Sequence, residues 1–184
     1  MNDELIDILN KEGKPTGQTA FKSEIHSKGY YHNTAHVWFY NSDGKILLAQ
    51  RASTKTLHPL LWDVSVAGHI DAGESVERGA IREIKEEIGL TISENDLQKI
   101  GIFLCFQSYE NGIVDNEFHH TYIIELKVGI HYLIPQEGEV ENLKLMSFQE
   151  FSNIIDHIGM NHHLVSSNKP YYQFVLKAIR QKFN

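Results

Sequence analysis

The chain has 184 residues, of which 41% are hydrophobic and 22% are charged, a composition that predicts one globular domain over residues 1–184. Its formal net charge of -7 excludes sequence-independent binding to a nucleic acid polymer or to an anionic membrane, because both need a basic face. A small charged substrate that a metal ion neutralises is compatible with this charge. The sequence leaves a homodimer open.

Cys105 is the only cysteine of the chain, so neither an internal disulfide nor a cysteine-rich zinc site can form, which suits a reducing compartment. It stands in the apolar run GIFLCF, where we expect a buried and inert thiol. No apolar segment approaches the roughly 18 residues of a membrane span. The first residues are acidic where a signal peptide would be basic. We therefore expect a cytoplasmic protein that does not enter a membrane.

The first half of the chain predicts short strands followed by a helix. Residues 4–18 predict a strand, a turn and a return strand, and residues 35–51 predict two strands joined by a hairpin at Asn-Ser-Asp-Gly. Residues 61–70 are strand-like as far as a glycine. A helix is then expected from Ser75, which can cap its first turn, to Gly89, which can take the left-handed conformation that ends many helices.

The second half of the chain again mixes strands and helices. Residues 100–109 and 117–128 predict two strands, and residues 143–155 predict a strand and a helix that a Ser-x-x-Glu capping box begins. A last helix is expected from Pro170. Strands outnumber helices but are interspersed with them, so the predicted fold class is α/β (α+β) with a mixed or largely antiparallel sheet.

Three glutamates crowd the end of the helix that is predicted between residues 75 and 89. At about 100° per residue, Glu86 and Glu87 lie on either side of Glu83, beside the apolar arc that must pack on the sheet. Like charges three and four residues apart destabilise a helix, and anions in its last turn also oppose the helix dipole. The alternative is a purely structural role, in which the glutamates lie on a solvent-exposed helix face and form ion pairs with Arg82 and Lys85.

Clustered carboxylate oxygens on a rigid helix are the ligands that a hard divalent cation requires. With no cysteine nearby, Mg²⁺ or Mn²⁺ is favoured over zinc. Such a metal bridges phosphate oxygens, neutralises developing charge and lowers the pKa of a bound water. The crowding is therefore explained if a cation binds there and serves phosphate chemistry.

Residues 68–90, GHIDAGESVERGAIREIKEEIGL, carry a recognisable pattern. A glycine at 68, a glutamate at 74, the run REIKEE and a Gly-aliphatic ending resemble a complete Nudix box. The resemblance implies the Nudix-type α/β/α sandwich with a mixed central sheet. It also implies cleavage of the diphosphate linkage in a nucleoside diphosphate derivative or another small organic diphosphate.

The same resemblance assigns roles residue by residue. It makes Mg²⁺ ligands of three side chains and one main-chain carbonyl, and it lets one of these glutamates orient or deprotonate the attacking water. The ligands that it implies are Glu83, Glu86, Glu87 and the carbonyl of Gly68. It implies that Arg82 holds the glutamates in place through charge-assisted hydrogen bonds, and that Glu74 fixes the preceding loop.

The similarity extends beyond the box to one branch, the type I isopentenyl-diphosphate isomerases. It runs through ILNKEGKPTG, HNTAHVWFYNSDGKILLAQRASTK, LWDVSVAGH and NGIVDNEF. In the isomerases, histidines and two acidic residues build a metal site at these places. The residues that match, as a possible second metal or substrate site, are His32, His69, Asp115 and Glu117. A further isomerase histidine falls on Ile25, with His26 adjacent, so the resemblance implies an incomplete or rearranged site.

Ala67 is the main departure from the isomerase pattern. The isomerases carry a catalytic cysteine there, alanine has no titratable group, and Cys105 belongs to a different predicted strand. The box is also intact, whereas the isomerases have an eroded one. Both differences favour a hydrolase. The alternatives are an isomerase that works without this cysteine and a catalytically silent, nucleotide-sensing Nudix domain.

Most of the 11 histidines are expected at the surface, among them His157, His162 and His163. Only His32 and His69 are expected near the site. His119 and His120 alternate across a strand, so at most one of them can face a pocket. Trp38 and Trp62 are expected in the core.

Overall fold

The computed structural model describes residues 3–158, 164–165 and 169–183. Within these residues there are nine strands and four α-helices. The strands are β1 (Leu5–Leu9), β2 (Pro15–Phe21), β3 (Tyr31–Tyr40), β4 (Lys45–Arg51), β5 (Trp62–Asp63), β6 (Val66–His69), β7 (Gln98–Ser108), β8 (Val114–Glu125) and β9 (Val140–Ser147). The helices are α1 (Lys22–Lys28), α2 (Val76–Ile88), α3 (Phe148–Asp156) and α4 (Lys169–Arg180). His162 and His163, predicted at the surface, lie outside the described residues.

The predicted strands and the three predicted helices are confirmed, with two differences. The strand expected over residues 61–70 is broken into β5 and β6, because the buried Ser65 side chain takes the place of ladder hydrogen bonds. Its hydroxyl donates to the carbonyl of Leu47 at 2.6 Å and accepts the N–H of Phe39 at 2.9 Å. The second difference is α1, a helix of seven residues that the sequence pattern did not predict.

The sheet is mixed, as predicted. β3 lies at its centre and pairs with β8 in parallel and with β6 in antiparallel orientation. β7 pairs with β8 and forms an edge, while β4 pairs with β9 and β5. Because β3 touches both β6 and β8, side chains from three strands converge on one face of the sheet.

Helices cover both faces of this sheet. α2 packs its apolar arc on one face, where Ala80, Ile84 and Ile88 are fully buried. α3 and α4 cover the other face, where Trp38 lies in the core as expected. The α/β/α arrangement is therefore confirmed. Trp62 is only half-buried, and the Lys144 ammonium lies 3.8 Å from its ring centroid.

Among the described residues, no helix combines the length and the apolarity that crossing a membrane requires.

Candidate functional site

Helix α2 is fixed at both ends by its caps. The Ser75 hydroxyl accepts the N–H of Arg78, and Gly89 ends the helix in the left-handed conformation at φ 70°. The buried apolar arc holds the helix against the sheet, so Glu83 and Glu87, one turn apart on its flank, have little freedom to separate. The local sequence thus fixes two carboxylates next to each other before any ligand binds.

Two of the three glutamates are buried. Only 8% of Glu83 and 9% of Glu87 is exposed, whereas 46% of the Glu86 side chain is exposed. Burial raises the pKa of Glu83 to about 7 even though Arg82 opposes the rise. Burial, and then the charge of Glu83, raise the pKa of Glu87 well above its usual value. Burial and mutual repulsion make this carboxyl pair unfavourable, and a divalent cation bound between the two would offset both effects.

Strand β6 contributes main-chain atoms next to this pair. The Ala67 N–H donates to Glu87 Oε2 at 3.3 Å. At Gly68 the Glu83 carboxyl lies against the backbone so closely that an added Cβ would be 1.9 Å from Glu83 Cδ. Only glycine leaves room for the Glu83 side chain here, so Gly68 lets this carboxyl lie directly against strand β6.

Arg82 ties the glutamates to the loop before the helix. Its guanidinium donates to Glu83 Oε1 at 2.8 Å, to Glu86 Oε2 at 3.3 Å and to Glu74 Oε2 at 3.1 Å. It also donates to the main-chain oxygen of His69 at 2.8 Å. Burial alone would lower the pKa of Arg82, but the hydrogen bond to Glu74 and the charge of Glu83 raise it, so Arg82 stays charged. Glu74 contacts Arg82, not the glutamate pair, in keeping with a loop-fixing role.

A second cluster of metal-binding side chains lies on the sheet face near α1. The ligand atoms of His26, His32, His69 and Glu117 all lie within 4.8 Å of one another. His32 and Glu117 are directly opposed across β3 and β8, and His26 comes from α1. Its Nε2 lies 3.1 Å from His69 Nε2. The isomerase histidine that aligns with Ile25 is therefore replaced by His26, the next residue of α1.

Two histidine nitrogens in this cluster are buried without a hydrogen bond. His32 Nδ1 donates to the carbonyl of Tyr30 at 2.9 Å, and its Nε2 lies 3.5 Å from Glu117 Oε1. His26 Nδ1 lies 2.9 Å from Asp115 Oδ1; burial lowers the pKa of His26, but Asp115 outweighs that effect and raises it. Both nitrogens face carboxylate oxygens, so a cation bound here would meet nitrogen and oxygen donors together.

The pKa shifts in this cluster favour the protonation states that bind a cation. Burial raises the pKa of Glu117, but the hydrogen bond from His119 outweighs that effect and holds the pKa well below its usual range. Burial, together with Lys22, lowers the pKa of His69 well below its usual value. A charged carboxylate and a neutral imidazole are the protonation states that bind metals.

The same sheet face continues into a second histidine pair. His36 is opposite Ala67 across β3 and β6, and its ring stacks on His119 with centroids 3.8 Å apart. His119 Nε2 lies 2.7 Å from Glu117 Oε2. The Tyr171 hydroxyl of α4 lies 2.9 Å from His36 Nδ1 and accepts the indole N–H of Trp38. Hydrogen bonds at each end and a ring stack between them thus connect Tyr171 of α4 to Glu117.

The expectation that only two histidines lie near the site is wrong. Of those two, His69 lines the pocket and His32 is fully buried next to Glu117, while the lining also includes His26, His36, His58 and His119. The missed signal is strand alternation, since positions 32 and 36 of β3, and 117 and 119 of β8, must share faces. The expectation for the His119–His120 pair is confirmed, because His120 lies on the other face and contacts Asn33 Oδ1 at 2.9 Å.

Cys105 is not buried as expected but half-buried, and it lines the pocket opposite Glu117 on the neighbouring strand. Its departure from the core follows from strand alternation in β7, where its face lies beneath the pocket. Burial and then the negative charge of Glu117 raise the pKa of the thiol to about 12. The thiol is therefore protonated at neutral pH, and the expected inertness follows.

The pocket has a volume of about 690 Å³, and three cations line it together with the glutamates. These cations are Lys22, Arg51 and Lys55. Arg51 Nε donates to the carbonyl of Leu57 at 3.0 Å, and Lys55 pairs with Glu139. The loop between β4 and β5 holds His58 at φ 51° and Leu60 at φ 61°, a strained backbone beside the site. The sequence reading assigned no role to these cations.

Comparisons with known proteins agree with this geometry. The family described as the NUDIX domain matches residues 30–165. An uncharacterized Nudix hydrolase of Clostridium acetobutylicum is 37% identical over 159 residues, covering 85% of this chain and 76% of that protein. An isopentenyl-diphosphate Delta-isomerase of Nocardia farcinica is 31% identical over 140 residues, covering 76% of this chain and 77% of that protein.

The fold is similar to that of solved structures as well. The crystal structure of DR0079 from Deinococcus radiodurans superposes with a TM-score of 0.70 and covers 92% of this chain and 98% of that one. Its sequence identity is 16%, so the likeness concerns the fold alone.

Proposed function

Since this chain belongs to the Nudix hydrolase family, in a branch related to the type I isopentenyl-diphosphate isomerases, we propose that it hydrolyses the diphosphate linkage of a nucleoside diphosphate derivative or another small organic diphosphate with Mg²⁺ or Mn²⁺. The active domain spans residues 1–184, with residues 68–90 as its Nudix box. Its location is cytoplasmic, a proposal supported by the net charge of -7 and the single cysteine.

The observation that carries this proposal is the buried carboxylate pair against a glycine backbone. Glu83 and Glu87 would hold the cation together with Glu86 and the carbonyl of Gly68. When bound, the metal would neutralise phosphate charge and lower the pKa of a water. One of the glutamates would orient or deprotonate that water.

Other cationic side chains position the glutamates and the substrate. Arg82 keeps the glutamates in one geometry through its hydrogen bonds to Glu83 and Glu86. Lys22, Arg51 and Lys55 offer positive charge to the diphosphate oxygens from other walls of the pocket. The diphosphate would therefore bind between two kinds of side chain. It would meet the glutamates through a bound cation and contact the lysine and arginine side chains directly.

The histidine cluster suits a second cation. His26, His32, His69 and Glu117, with Asp115 beside His26, provide nitrogen and oxygen donors, and such a mixed set suits Mn²⁺ better than Mg²⁺. The unpartnered nitrogens of His26 and His32 support this assignment. These residues would bind a cation or the substrate's own charged group within the same pocket.

A panel of organic diphosphates, assayed for phosphate or nucleoside monophosphate release with and without Mg²⁺, tests the proposal. We expect metal-dependent release in the wild type and a loss of about 100-fold or more in Glu87→Gln. Glu94→Gln is the matched control, because Glu94 is an exposed glutamate outside the pocket. Tight nucleotide binding without any turnover would instead indicate a nucleotide-sensing domain.

Isomerisation of isopentenyl diphosphate is the second candidate function. The isomerase relatives favour it, and Cys105 lies opposite Glu117, so a thiol and a carboxylate do share the pocket. Against it stand Ala67 at the position of the isomerase cysteine and the thiol pKa of about 12. A protonated thiol with so high a pKa is a poor base for moving a proton between carbons.

A homodimer is also part of the proposal. Strand β7 is an edge strand whose outward face exposes Ile102, Leu104 and Phe106, and residues 100–108 contain no charged side chain. Such an edge can pair with a second copy, and the uncharged stretch avoids repulsion between two chains of net charge -7. Sedimentation should detect dimers in the wild type and fewer in Leu104→Lys.

A further inference from the structure

The three cations that line the described part of the pocket each face a carboxylate that lines the pocket as well. The nitrogen and oxygen atoms of each pair lie within 4 Å of one another. The three pairs are Lys22–Glu4, Arg51–Asp63 and Lys55–Glu139. A diphosphate oxygen that contacts one of these cations must therefore share the cation with a carboxylate of the protein or displace that carboxylate.

The Lys55–Glu139 pair lies next to the carboxylate pair of α2. Gln136 donates its N–H to the carbonyl of Glu87 at 2.9 Å, and the chain then turns, since the N–H of Glu139 donates to the carbonyl of Gln136 at 3.2 Å. The pKa of Glu87, which burial raises most, is raised further by Glu139 and lowered by Lys55. The Lys55 ammonium is thus close enough to contact a diphosphate that a cation holds at Glu87.

The backbone on both sides of this ion pair is held in place without it. The N–H of Ala52 donates to the carbonyl of Glu139 at 3.0 Å, and the N–H of Lys55 donates to the carbonyl of Ala52 at 3.1 Å. The N–H of Ser53 donates to Glu141 Oε2 at 3.0 Å. These hydrogen bonds join the loop between β4 and β5 to the start of β9. The ion pair can therefore open without a displacement of the loop.

The Lys55–Glu139 pair is also weak enough to exchange. Of the two side chains, 27% of Lys55 and 28% of Glu139 is exposed. Ion pairs that water reaches contribute little to stability, because solvent and salt screen them. A diphosphate carries more negative charge than a single carboxylate, so it competes effectively for the same ammonium.

We propose that Glu139 is an internal competitor of the substrate: its carboxylate holds Lys55 in the free protein, and a diphosphate oxygen replaces it at the same ammonium when the substrate binds. This inference rests on the proposed hydrolase function, in which Lys55 contacts the diphosphate, and deepens it. The pair keeps the ammonium away from Glu87 until the substrate arrives. After cleavage, Glu139 returns to Lys55 and favours release of the phosphate product.

The sign of one mutational effect tests this inference. Methylenediphosphonate is a diphosphate analogue with a carbon bridge that resists hydrolysis, and calorimetric titration in saturating Mg²⁺ measures its affinity. We expect Glu139→Gln to bind it about two- to fivefold more tightly than the wild type, the range that a partly exposed ion pair allows. Glu141→Gln is the matched control and should bind as the wild type does, because Glu141 contacts the same loop but is not among the residues that line the pocket.

Lys55→Gln separates competition at the ammonium from a general effect of charge. In the Lys55→Gln protein, Glu139→Gln should no longer tighten binding of the analogue, because the cation for which the two anions compete is absent. An equal gain with and without Lys55 would overturn the inference. Unchanged or weaker binding in Glu139→Gln would also overturn it, since a carboxylate that positions Lys55 gives a loss. A weaker Mg²⁺ affinity in Glu139→Gln would make Glu139 a metal ligand instead.

Binding of the analogue and turnover of substrates are measured separately, so the two proposals can fail separately. Metal-dependent hydrolysis of organic diphosphates without a gain in affinity in Glu139→Gln overturns the inference and keeps the hydrolase. The expected gain without hydrolysis of any diphosphate keeps the competition at Lys55 and contradicts the hydrolase. Absence of analogue binding in both the wild type and Glu139→Gln overturns the inference, whatever the hydrolysis assay gives.

Discussion

Gly68 and Glu83 are packed so closely that a Cβ at position 68 would lie 1.9 Å from Glu83 Cδ. Gly68→Ala must therefore displace the Glu83 carboxyl from the strand. We expect activity to fall by about 10- to 100-fold, because small misplacements of catalytic groups have effects of that size. Mg²⁺ titrations and circular dichroism on the same protein should show weaker metal binding in a folded chain. An unchanged Mg²⁺ affinity would contradict the role of this contact.

The pH dependence of stability follows from Glu83. In the folded, metal-free chain its pKa is about 7, compared with an ordinary value of 4.5, so between these pH values the folded state binds the extra proton. Stability must then fall as pH rises through this window. In chelator, Glu83→Gln should flatten the fall in melting temperature between pH 5 and pH 7, roughly the window set by these two pKa values.

Glu94→Gln, with its exposed side chain, is the control for this pH prediction and should retain the wild-type slope. The same pH slope in wild type and Glu83→Gln would show that the Glu83 carboxyl does not titrate in this range.

Arg82 should matter for geometry more than for stability. Lysine keeps the charge but cannot reach Glu74, Glu83 and the carbonyl of His69 at once, because it lacks the planar fork. Arg82→Lys should lower kcat by about 10- to 100-fold, the usual effect of losing a group that orients metal ligands. Steady-state kinetics in saturating Mg²⁺ measure this, and wild-type kcat would show that the network does not orient the glutamates.

The histidine cluster should bind Mn²⁺ independently of the glutamates. His26→Ala removes a nitrogen that lies 3.1 Å from His69 Nε2, so we expect the Mn²⁺ affinity of one site to fall by at least about tenfold. Calorimetric titration with Mn²⁺ detects this change. His131→Ala, an exposed histidine outside the pocket, should bind Mn²⁺ as the wild type does. Equal Mn²⁺ affinities in the two variants would show that the histidine cluster is not a second metal site.

Little or no isomerisation of isopentenyl diphosphate is expected. Double-bond migration needs one proton added and another removed by two positioned groups, and Ala67 offers none. Incubation in D₂O, followed by NMR for deuterium in the allylic product, measures the reaction. Cys105→Ala should leave diphosphate hydrolysis intact because its thiol stays protonated. Deuterium incorporation that Cys105→Ala abolishes would establish the isomerase instead.

Local signals predicted helix α2 and its glutamates well. The cap at Ser75, the glycine at 89 and the apolar period all lie within 15 residues of one another, so no distant contact was needed. The interruption at Ser65 was not predictable in the same way. It depends on hydrogen bonds to Leu47 and to Phe39, which only the folded sheet brings near.

The histidine-lined part of the pocket required long-range information. His32 meets Glu117 through a parallel pairing of β3 with β8, and no sequence period gives that register. His26 was hidden for another reason, since α1 has seven residues, lacks a side-chain cap and follows directly on β2.

The most direct test of the central claim is hydrolysis of the panel of organic diphosphates in ¹⁸O-labelled water, with Mg²⁺ or with excess chelator, in wild type and Glu87→Gln. The account predicts that label enters a phosphate product, that chelator abolishes turnover, and that Glu87→Gln loses about 100-fold or more of it. Label found only in an alcohol product, or full activity in chelator or in Glu87→Gln, would contradict it.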